Sequence, residues 1–150
     1  MHTKKLFTLL LASLLPAWAL ADGQHSAATN GKPGNPAKVD RVIEVSMDDS
    51  MRFTPAQIEV KAGETIRFLL KNAGKMEHEM VLGQMAELNA HAEMMRRMPE
   101  MQHAEPNMAK LKSGQRGSIV WQFTRAGEFD FACTIPGHLE GGMVGKVSVK

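Results

Sequence analysis

One stretch near the C-terminus decides the fold of this chain, and it reads Cys133-Thr134-Ile135-Pro136-Gly137-His138-Leu139-Glu140-Gly141-Gly142-Met143. Its thiol, imidazole and thioether side chains follow one another at intervals of five residues. Pro136 stiffens the first half of the segment, and the glycines allow the backbone angles that curl a loop around one ion. Cys133 is the only cysteine in the chain, so a disulfide within the chain cannot account for it. The segment therefore predicts a metal-binding loop.

A second imidazole would complete a set of four donors, and His78 is the upstream candidate. Thiolate, two imidazoles and a weak thioether form blue-copper sites, because these ligands suit both Cu(I) and Cu(II). Taken singly, each residue has a simpler interpretation, such as a buried core thiol or a solvated loop histidine. Structural zinc sites favour several Cys or His ligands, and a Cys–His nucleophile pair leaves the methionine without a role. The combination predicts one copper bound by His78, Cys133, His138 and Met143.

On both sides of this loop, between Val39 and the C-terminus, apolar and polar residues alternate along the sequence. The pattern predicts strands at residues 39–47, 57–61, 65–71, 80–82, 118–124, 128–133 and 144–150. Short strands separated by turn signals favour an all-β sandwich of two sheets. Cys133 would then end one strand and Met143 precede the next, which brings both side chains to one end of the sandwich.

A different pattern interrupts the strands at residues 84–112. Residues 84–98 contain no Gly or Pro and are rich in good helix formers, so they predict a helix that ends at Pro99. The segment is also rich in Met and His, and its candidate Cu(I) ligands are His91, Met94, Met95, Met98, Met101 and His103. Thioethers bind Cu(I), but the same residues would also serve as helix packing or as an adaptable docking surface. The sequence predicts a partly helical insertion and leaves these alternatives open.

The first 21 residues are typical of an export signal. A basic start with Lys4 and Lys5 precedes an apolar run at residues 6–15 that is too short to span a bilayer, and a small-x-small motif ends at Ala21. Cleavage removes two of the 18 Lys and Arg residues, and the remaining 16 are balanced by 16 Asp and Glu residues. The mature chain therefore has a net charge of about zero and no basic surface that would favour nucleic-acid binding. Residues 22–38 are rich in Gly, Pro and Asn and predict a flexible leader. We expect a periplasmic protein with one domain at residues 39–150 and no membrane span after cleavage.

From Val39 to Lys150 the chain resembles the cupredoxins, the type 1 blue-copper proteins. The resemblance rests on Phe53-Thr54-Pro55, Val60-Lys61-Ala62-Gly63-Glu64-Thr65, Asn72, His78-Glu79 and Phe131-Ala132-Cys133-x4-His138-x4-Met143-x-Gly145. It implies a Greek-key β-sandwich and a type 1 copper held by the four predicted ligands. The four-residue gaps on both sides of His138 are more similar to rusticyanin and to periplasmic copper-tolerance cupredoxins than to plastocyanin. Many members carry Asn after the first His ligand, where its backbone helps to hydrogen-bond the thiolate, and this chain has Glu79 there.

Two functions follow from this resemblance. The first is an electron carrier linked to copper tolerance, whose redox partner would be a c-type cytochrome or an oxidase. The alternative is a dedicated copper-sequestering protein in which electron transfer is secondary. An enzyme such as a multicopper oxidase would need His-x-His pairs for further coppers, which the sequence lacks, so we expect no enzyme. The carrier hypothesis also predicts an apolar surface around His138, with Leu139 and residues 141–142 beside it.

Overall fold

The computed structural model describes residues 31–102 and 104–150. The predicted signal at residues 1–21, the first part of the predicted leader and His103 lie outside the described residues. Within the described part, the elements are β1 (Lys32–Pro33), β2 (Arg41–Asp48), β3 (Arg52–Thr54), β4 (Gln57–Val60), β5 (Thr65–Asn72), β6 (His78–Gly83), α1 (Met85–Arg97), β7 (Met108–Leu111), β8 (Arg116–Gln122), β9 (Gly127–Ala132) and β10 (Val144–Val149). None of the described residues belongs to a helix with the length and apolar character that a bilayer span requires.

The strands form two five-stranded sheets, with the orders β1-β8-β5-β2-β3 and β4-β10-β9-β6-β7. The pairs β2–β5 and β4–β10 are parallel, and the other neighbours are antiparallel. Large apolar side chains from both sheets share one core, such as Phe68 and Ile119 from the first and Phe131 and Val147 from the second. The predicted all-β sandwich with a partly helical insertion is confirmed.

The apolar alternation explains why the predicted strands form where they do. In β10, Val147 and Val149 are buried while Lys146 is exposed, because successive strand residues point to opposite faces. Each predicted strand begins and ends within two residues of its observed bounds. The structure adds three short strands, β1, β3 and β7. Since Lys32 pairs with Gln122 of β8, regular structure begins inside the segment predicted as leader.

The helix α1 covers the outer face of the second sheet. It begins after Gln84, whose backbone N–H donates to the Glu87 carboxylate at 3.0 Å, and it ends shortly before Pro99. Its buried face consists of Leu88, Ala92 and Met95, and Leu88 packs in a cluster with Val81 and Ala132. The insertion is therefore helical only in its first half, and its end supplies β7.

The register of the second sheet sets the place where the ligand candidates meet. Val81 of β6 pairs with Ala132 of β9, and Val144 of β10 pairs with the same residue. One end of the sandwich therefore contains both the first residue of β6 and the loop between β9 and β10.

Candidate metal centre

Three predicted donors converge at this end of the sandwich. The potential ligand atoms of His78, Cys133 and His138 all lie within 4.8 Å of one another. The Cys133 Sγ is 3.3 Å from Nδ1 of His138, and the two imidazole centroids are 4.9 Å apart. Met143 is completely buried and belongs to the same core cluster as Cys133. The structure thus brings three of the four predicted ligands into direct proximity and buries the fourth in the surrounding core.

Backbone hydrogen bonds hold the loop between Cys133 and Met143 in shape. The His138 N–H donates to the Ile135 carbonyl at 3.0 Å, and the Met143 N–H donates to the His138 carbonyl at 3.0 Å. The Cys133 N–H then closes the loop on the Met143 carbonyl at 3.1 Å. Gly137 has φ +89°, a left-handed angle that a glycine adopts without strain. These backbone hydrogen bonds therefore form a scaffold for the loop.

Glu79 joins the two chain segments that carry the donors. Its backbone N–H donates to the Cys133 Sγ at 3.4 Å, which is the bond that the resemblance assigned to this position. Its buried carboxylate accepts the Thr134 N–H at 3.2 Å and also the Thr134 hydroxyl. Replacing Asn by Glu at this position thus preserves the backbone bond to sulfur and adds a carboxylate link to the ligand loop.

Burial controls the protonation of the donors. It raises the pKa of the Cys133 thiol to about 12, against the opposing effect of backbone N–H groups of Glu79 and Ile135. Burial, followed by the neighbouring His78, lowers the pKa of His138 below its usual value. His138 is therefore a neutral imidazole at pH 7, with a nitrogen lone pair available to a metal.

His78 shows a second sign of a metal site. Its Nε2 lies 3.0 Å from an Asp49 carboxylate oxygen, while its buried Nδ1 has no hydrogen-bond partner among the described residues. Hydrogen bonds from the Lys75 backbone, then from His78 and the Met76 backbone, lower the pKa of Asp49. A buried nitrogen without a partner beside a thiol and a neutral imidazole fits copper, which accepts both sulfur and imidazole donors.

The candidate Cu(I) ligands of the insertion are spread over different environments. His91 and Met94 are half-buried, Met95 is buried, and Met98 and Met101 are 43% and 39% exposed. Within residues 31–102 and 104–150, the groups of three or more His, Cys or carboxylate side chains that could hold a metal are limited to the cluster described above. Binding of copper by these methionines and histidines remains a prediction.

Sequence reasoning did not identify Asp49, whose carboxylate the fold brings to within 3.0 Å of His78 Nε2. Asp48, Asp49 and Ser50 are typical of a turn, and in the structure Asp48 ends β2 while Asp49 and Ser50 lie between β2 and β3. The only available signal was an acidic pair in a turn, which is common at protein surfaces. The partnership with His78 depends on the pairing of strands distant in sequence.

Comparison with known proteins agrees with this fold and site. Residues 39–150 match the family described as copper binding proteins, plastocyanin/azurin family. The copper-resistant cuproprotein CopI of Rubrivivax gelatinosus is 57% identical over 127 residues, which cover 84% of this chain and 77% of the relative. The protein of the same name from Pseudomonas aeruginosa is 38% identical over 174 residues, covering 95% of this chain and 93% of the relative.

Solved structures share the architecture at lower sequence identity. Auracyanin B superposes with a TM-score of 0.66 at 23% identity, over 81% of this chain and 95% of that one. Auracyanin A, a blue copper protein from Chloroflexus aurantiacus, superposes with a TM-score of 0.59 at 22% identity, over 73% of this chain and 98% of that one. With the family match over the whole sandwich and relatives that align with most of the chain, this protein belongs to the plastocyanin/azurin family of copper-binding proteins, the cupredoxins, and copper is its cofactor.

Proposed function

We propose that this protein is an exported, periplasmic type 1 copper protein that transfers single electrons and serves in copper tolerance. One copper would be held by His78, Cys133, His138 and Met143. The observation that carries the proposal is the buried cluster of His78, Cys133 and His138, whose donor atoms already lie within 4.8 Å of one another. When bound in such a ligand set, copper supplies a one-electron couple between Cu(I) and Cu(II). The relatives named copper-resistant cuproproteins support the link to tolerance.

Burial of the donors favours electron transfer over catalysis. Cys133, His78 and Met143 have no exposed surface, and His138 is 9% exposed. A substrate therefore has no open path to a metal held by these residues, whereas an electron needs only the edge of an imidazole. The hydrogen-bonded loop between Cys133 and Met143 also resists movement, so the ligands can stay in place when the charge of the metal changes. We therefore propose a carrier and no enzyme.

His138 is the proposed exit for electrons, and its surroundings differ in part from the expected apolar surface. Pro136, Gly137 and Gly141 are exposed beside it. Leu139, however, is half-buried and packs against the cluster beneath α1. The exposed residues next to His138 in the sequence are thus Pro136, Gly137, Gly141 and the charged Glu140, and this surface is only partly apolar. A redox partner such as a c-type cytochrome or an oxidase would dock there.

The copper site is tested by a titration followed by visible absorption and by metal analysis. The wild type should bind one copper and show an intense thiolate-to-copper band when oxidised. Cys133→Ser should lose this band and keep the fold, because it removes the sulfur but little volume. His91→Ala is the matched control, since it removes a histidine outside the cluster and should keep the band. A coloured Cys133→Ser protein would refute the assignment.

The role of Met143 as a weak axial ligand is tested by Met143→Leu. Leucine has a similar volume but no sulfur, so the fold and the His78–Cys133–His138 set should remain. Copper should stay bound and the reduction potential should rise, because loss of an axial donor favours Cu(I). Voltammetry and metal analysis measure both quantities. Complete loss of copper would instead make Met143 a strong ligand and contradict the blue-copper description.

Electron transfer through His138 is tested by stopped-flow mixing of the oxidised protein with a reduced c-type cytochrome. Pro136→Glu places a charge and extra bulk on the exposed surface next to His138 and should slow the second-order rate. Ala126→Glu is the control, because this exposed residue precedes the start of β9, at the opposite end of the strand from Cys133. Equal rates in both variants and the wild type, with unchanged spectra, would exclude this exit.

A second candidate function is copper sequestration, in which electron transfer is secondary. It is supported by Met98 and Met101, which are exposed although methionine is an apolar residue. Soft thioether ligands on a surface favour Cu(I) over hard ions. In this alternative the insertion binds copper in addition to the copper in the buried cluster.

Sequestration is tested by Cu(I) stoichiometry with a competing chelator. The wild type should bind more than one Cu(I), and changing Met94, Met98 and Met101 together to Leu should remove the excess while keeping the absorption band. The buried Met95 provides the control, since Met95→Leu should leave the stoichiometry unchanged. A stoichiometry of one in all three proteins would assign the methionines to packing or docking and leave the electron-carrier function alone.

A further inference from the structure

Asp49 lies in the turn between β2 and β3 and binds three groups of the segment that leads into β6. One carboxylate oxygen accepts the Lys75 N–H at 2.8 Å. The other lies 3.1 Å from the Met76 N–H and 3.0 Å from Nε2 of His78. A single side chain from a distant turn therefore holds both the backbone and the imidazole of a predicted copper ligand.

The close approach of this carboxylate depends on Gly74. A Cβ atom at position 74 would lie 2.1 Å from Oδ1 of Asp49 and 2.8 Å from its Cγ. Such distances are far below van der Waals contact, so any larger residue would displace the carboxylate. Glycine, the smallest residue, therefore occupies the position at which the Asp49 carboxylate approaches the loop backbone.

The hydrogen bond determines which nitrogen of His78 carries the proton. An ionised carboxylate can only accept, so Nε2 must be the protonated nitrogen of a neutral His78 ring. The proton-free nitrogen is then Nδ1, the atom that is buried and has no hydrogen-bond partner among the described residues. This is the arrangement that a metal-binding histidine needs, with one nitrogen anchored and the other carrying a lone pair.

We infer that Asp49 is a positioning residue of the copper site, which fixes the Nε2–H tautomer of His78 and places a negative charge behind this ligand. The inference rests on the copper site proposed above. The carboxylate makes the imidazole a stronger donor, and its charge stabilises Cu(II) more than Cu(I). Asp49 therefore lowers the reduction potential and strengthens Cu(II) binding without touching the metal.

A purely structural role for Asp49, as an anchor of the loop backbone, makes different predictions. Three variants separate the two roles. Asp49→Ala removes the acceptor and the charge, Asp49→Asn keeps an acceptor oxygen but removes the charge, and Asp48→Asn removes the neighbouring charge. Asp48 is the matched control because it accepts hydrogen bonds from Ser50 in the same turn rather than from His78.

The tautomer is measured by long-range ¹H–¹⁵N correlation spectra of the full chain, without copper and with diamagnetic Cu(I). His78 should be the Nε2–H tautomer in the wild type, Asp49→Asn and Asp48→Asn, and a mixture of tautomers in copper-free Asp49→Ala. Cu(II) affinity should fall about 10- to 100-fold in Asp49→Ala. In Asp49→Asn, a loss of about tenfold in Cu(II) relative to Cu(I) affinity would raise the potential by about 59 mV. Asp48→Asn should shift the potential less.

The inference is overturned if copper-free Asp49→Ala keeps a pure Nε2–H tautomer and Asp49→Asn shifts the potential no more than Asp48→Asn. If Asp49→Ala does not fold, Asp49→Asn still decides the matter through its potential, because it retains the acceptor. Failure of the copper site is a separate result, since a wild type that binds no copper would refute the ligand assignment. The tautomer of the copper-free protein would then still test the partnership of Asp49 with His78.

Discussion

At the scale of single residues, Cys133 must satisfy two opposing requirements if it is the copper ligand proposed above. A copper ligand must be a thiolate, yet burial in the core raises the pKa of this thiol to about 12. In the copper-free protein the sulfur is therefore protonated at neutral pH and behaves as a small apolar core residue. Copper binding must displace this proton, so copper affinity should increase with pH.

The raised thiol pKa predicts a pH dependence of stability in the copper-free protein. The folded pKa of about 12 lies above the ordinary value of 9.0, so between these values the unfolded chain loses a proton that the folded chain keeps. The free energy of unfolding therefore falls as pH rises through this range. Relative to Cys133→Ser, the wild type should lose about 1.4 kcal/mol between pH 8 and pH 10 in urea titrations. If the free energies of unfolding of the two proteins changed in parallel with pH, ionisation of the thiol in the folded protein would cost no free energy.

The pair formed by Glu79 and Thr134 predicts a measurable loss of stability in Thr134→Val. Both residues are buried, and valine keeps the shape of threonine but cannot donate to the carboxylate. Loss of a donor to a buried acceptor should cost about 1–3 kcal/mol in urea unfolding. Thr124→Val is the control at an exposed threonine and should change stability by less than about 0.5 kcal/mol. Equal effects at the two sites would mean that Glu79 finds another donor.

The residues of the site differ in how far the sequence predicts them. Cys133, His138 and Met143 share one loop, so their spacing alone is informative, and the structure brings His78 to Cys133 and His138 as predicted. Asp49 could not be predicted in this way, because its contact with His78 depends on the fold. A carboxylate in a turn has the same local sequence whether it faces water or an imidazole.

At the scale of secondary structure, the strands that the sequence missed are the short ones that depend on their partners. β1 and β7 lie at sheet edges, with two and four residues, and neither has a clear alternation of apolar residues. Their hydrogen bonds come from β8 and β6, which the local sequence does not reveal. In contrast, α1 has a capping glutamate at its start and a proline beyond its end, so its observed bounds follow closely from the sequence.

The packing of α1 predicts that Leu88→Ala will destabilise the protein. Leu88 is 1% exposed and contacts the cluster with Val81 and Ala132 on the outer face of the second sheet. Truncation of such a residue typically costs about 2–5 kcal/mol, which urea unfolding would detect. Met98→Ala, at an exposed position just after the helix, should cost less than about 0.5 kcal/mol. A small effect at Leu88 would indicate that the helix is only loosely attached.

At the scale of the whole molecule, distant segments must pair before the site exists. The parallel pair β4–β10 brings Gln57 next to Lys146. In the parallel pair β2–β5, the turn that carries Asp49 lies between the two strands in the sequence. Sandwiches with such non-local pairings fold slowly, because loop closure precedes the contacts that stabilise it. The proposed copper ligands come together only when β6, β9 and β10 of the second sheet have paired.

Copper should therefore act on unfolding rather than on folding. An ion that needs the complete site stabilises the native state but not the transition state, so it should slow unfolding and leave the refolding rate unchanged. Stopped-flow kinetics with and without Cu(I) would measure both rates. Cys133→Ser, which lacks the proposed thiolate ligand, should show the same unfolding rate in both conditions. Faster refolding of the wild type with copper would instead mean that the ligands gather early.

The burial of the only thiol has a consequence for the life of the chain after synthesis. In an oxidising compartment, an unfolded chain exposes Cys133 to sulfenic acid formation and to disulfide exchange with other proteins. Once the sheets close, the sulfur has no exposed surface and such reagents cannot reach it. For the exported protein proposed above, chemical damage is thus confined to the interval before the sheets close. The speed of sheet closure, rather than the strength of the finished site, then determines how long the thiol is open to oxidation before copper can bind.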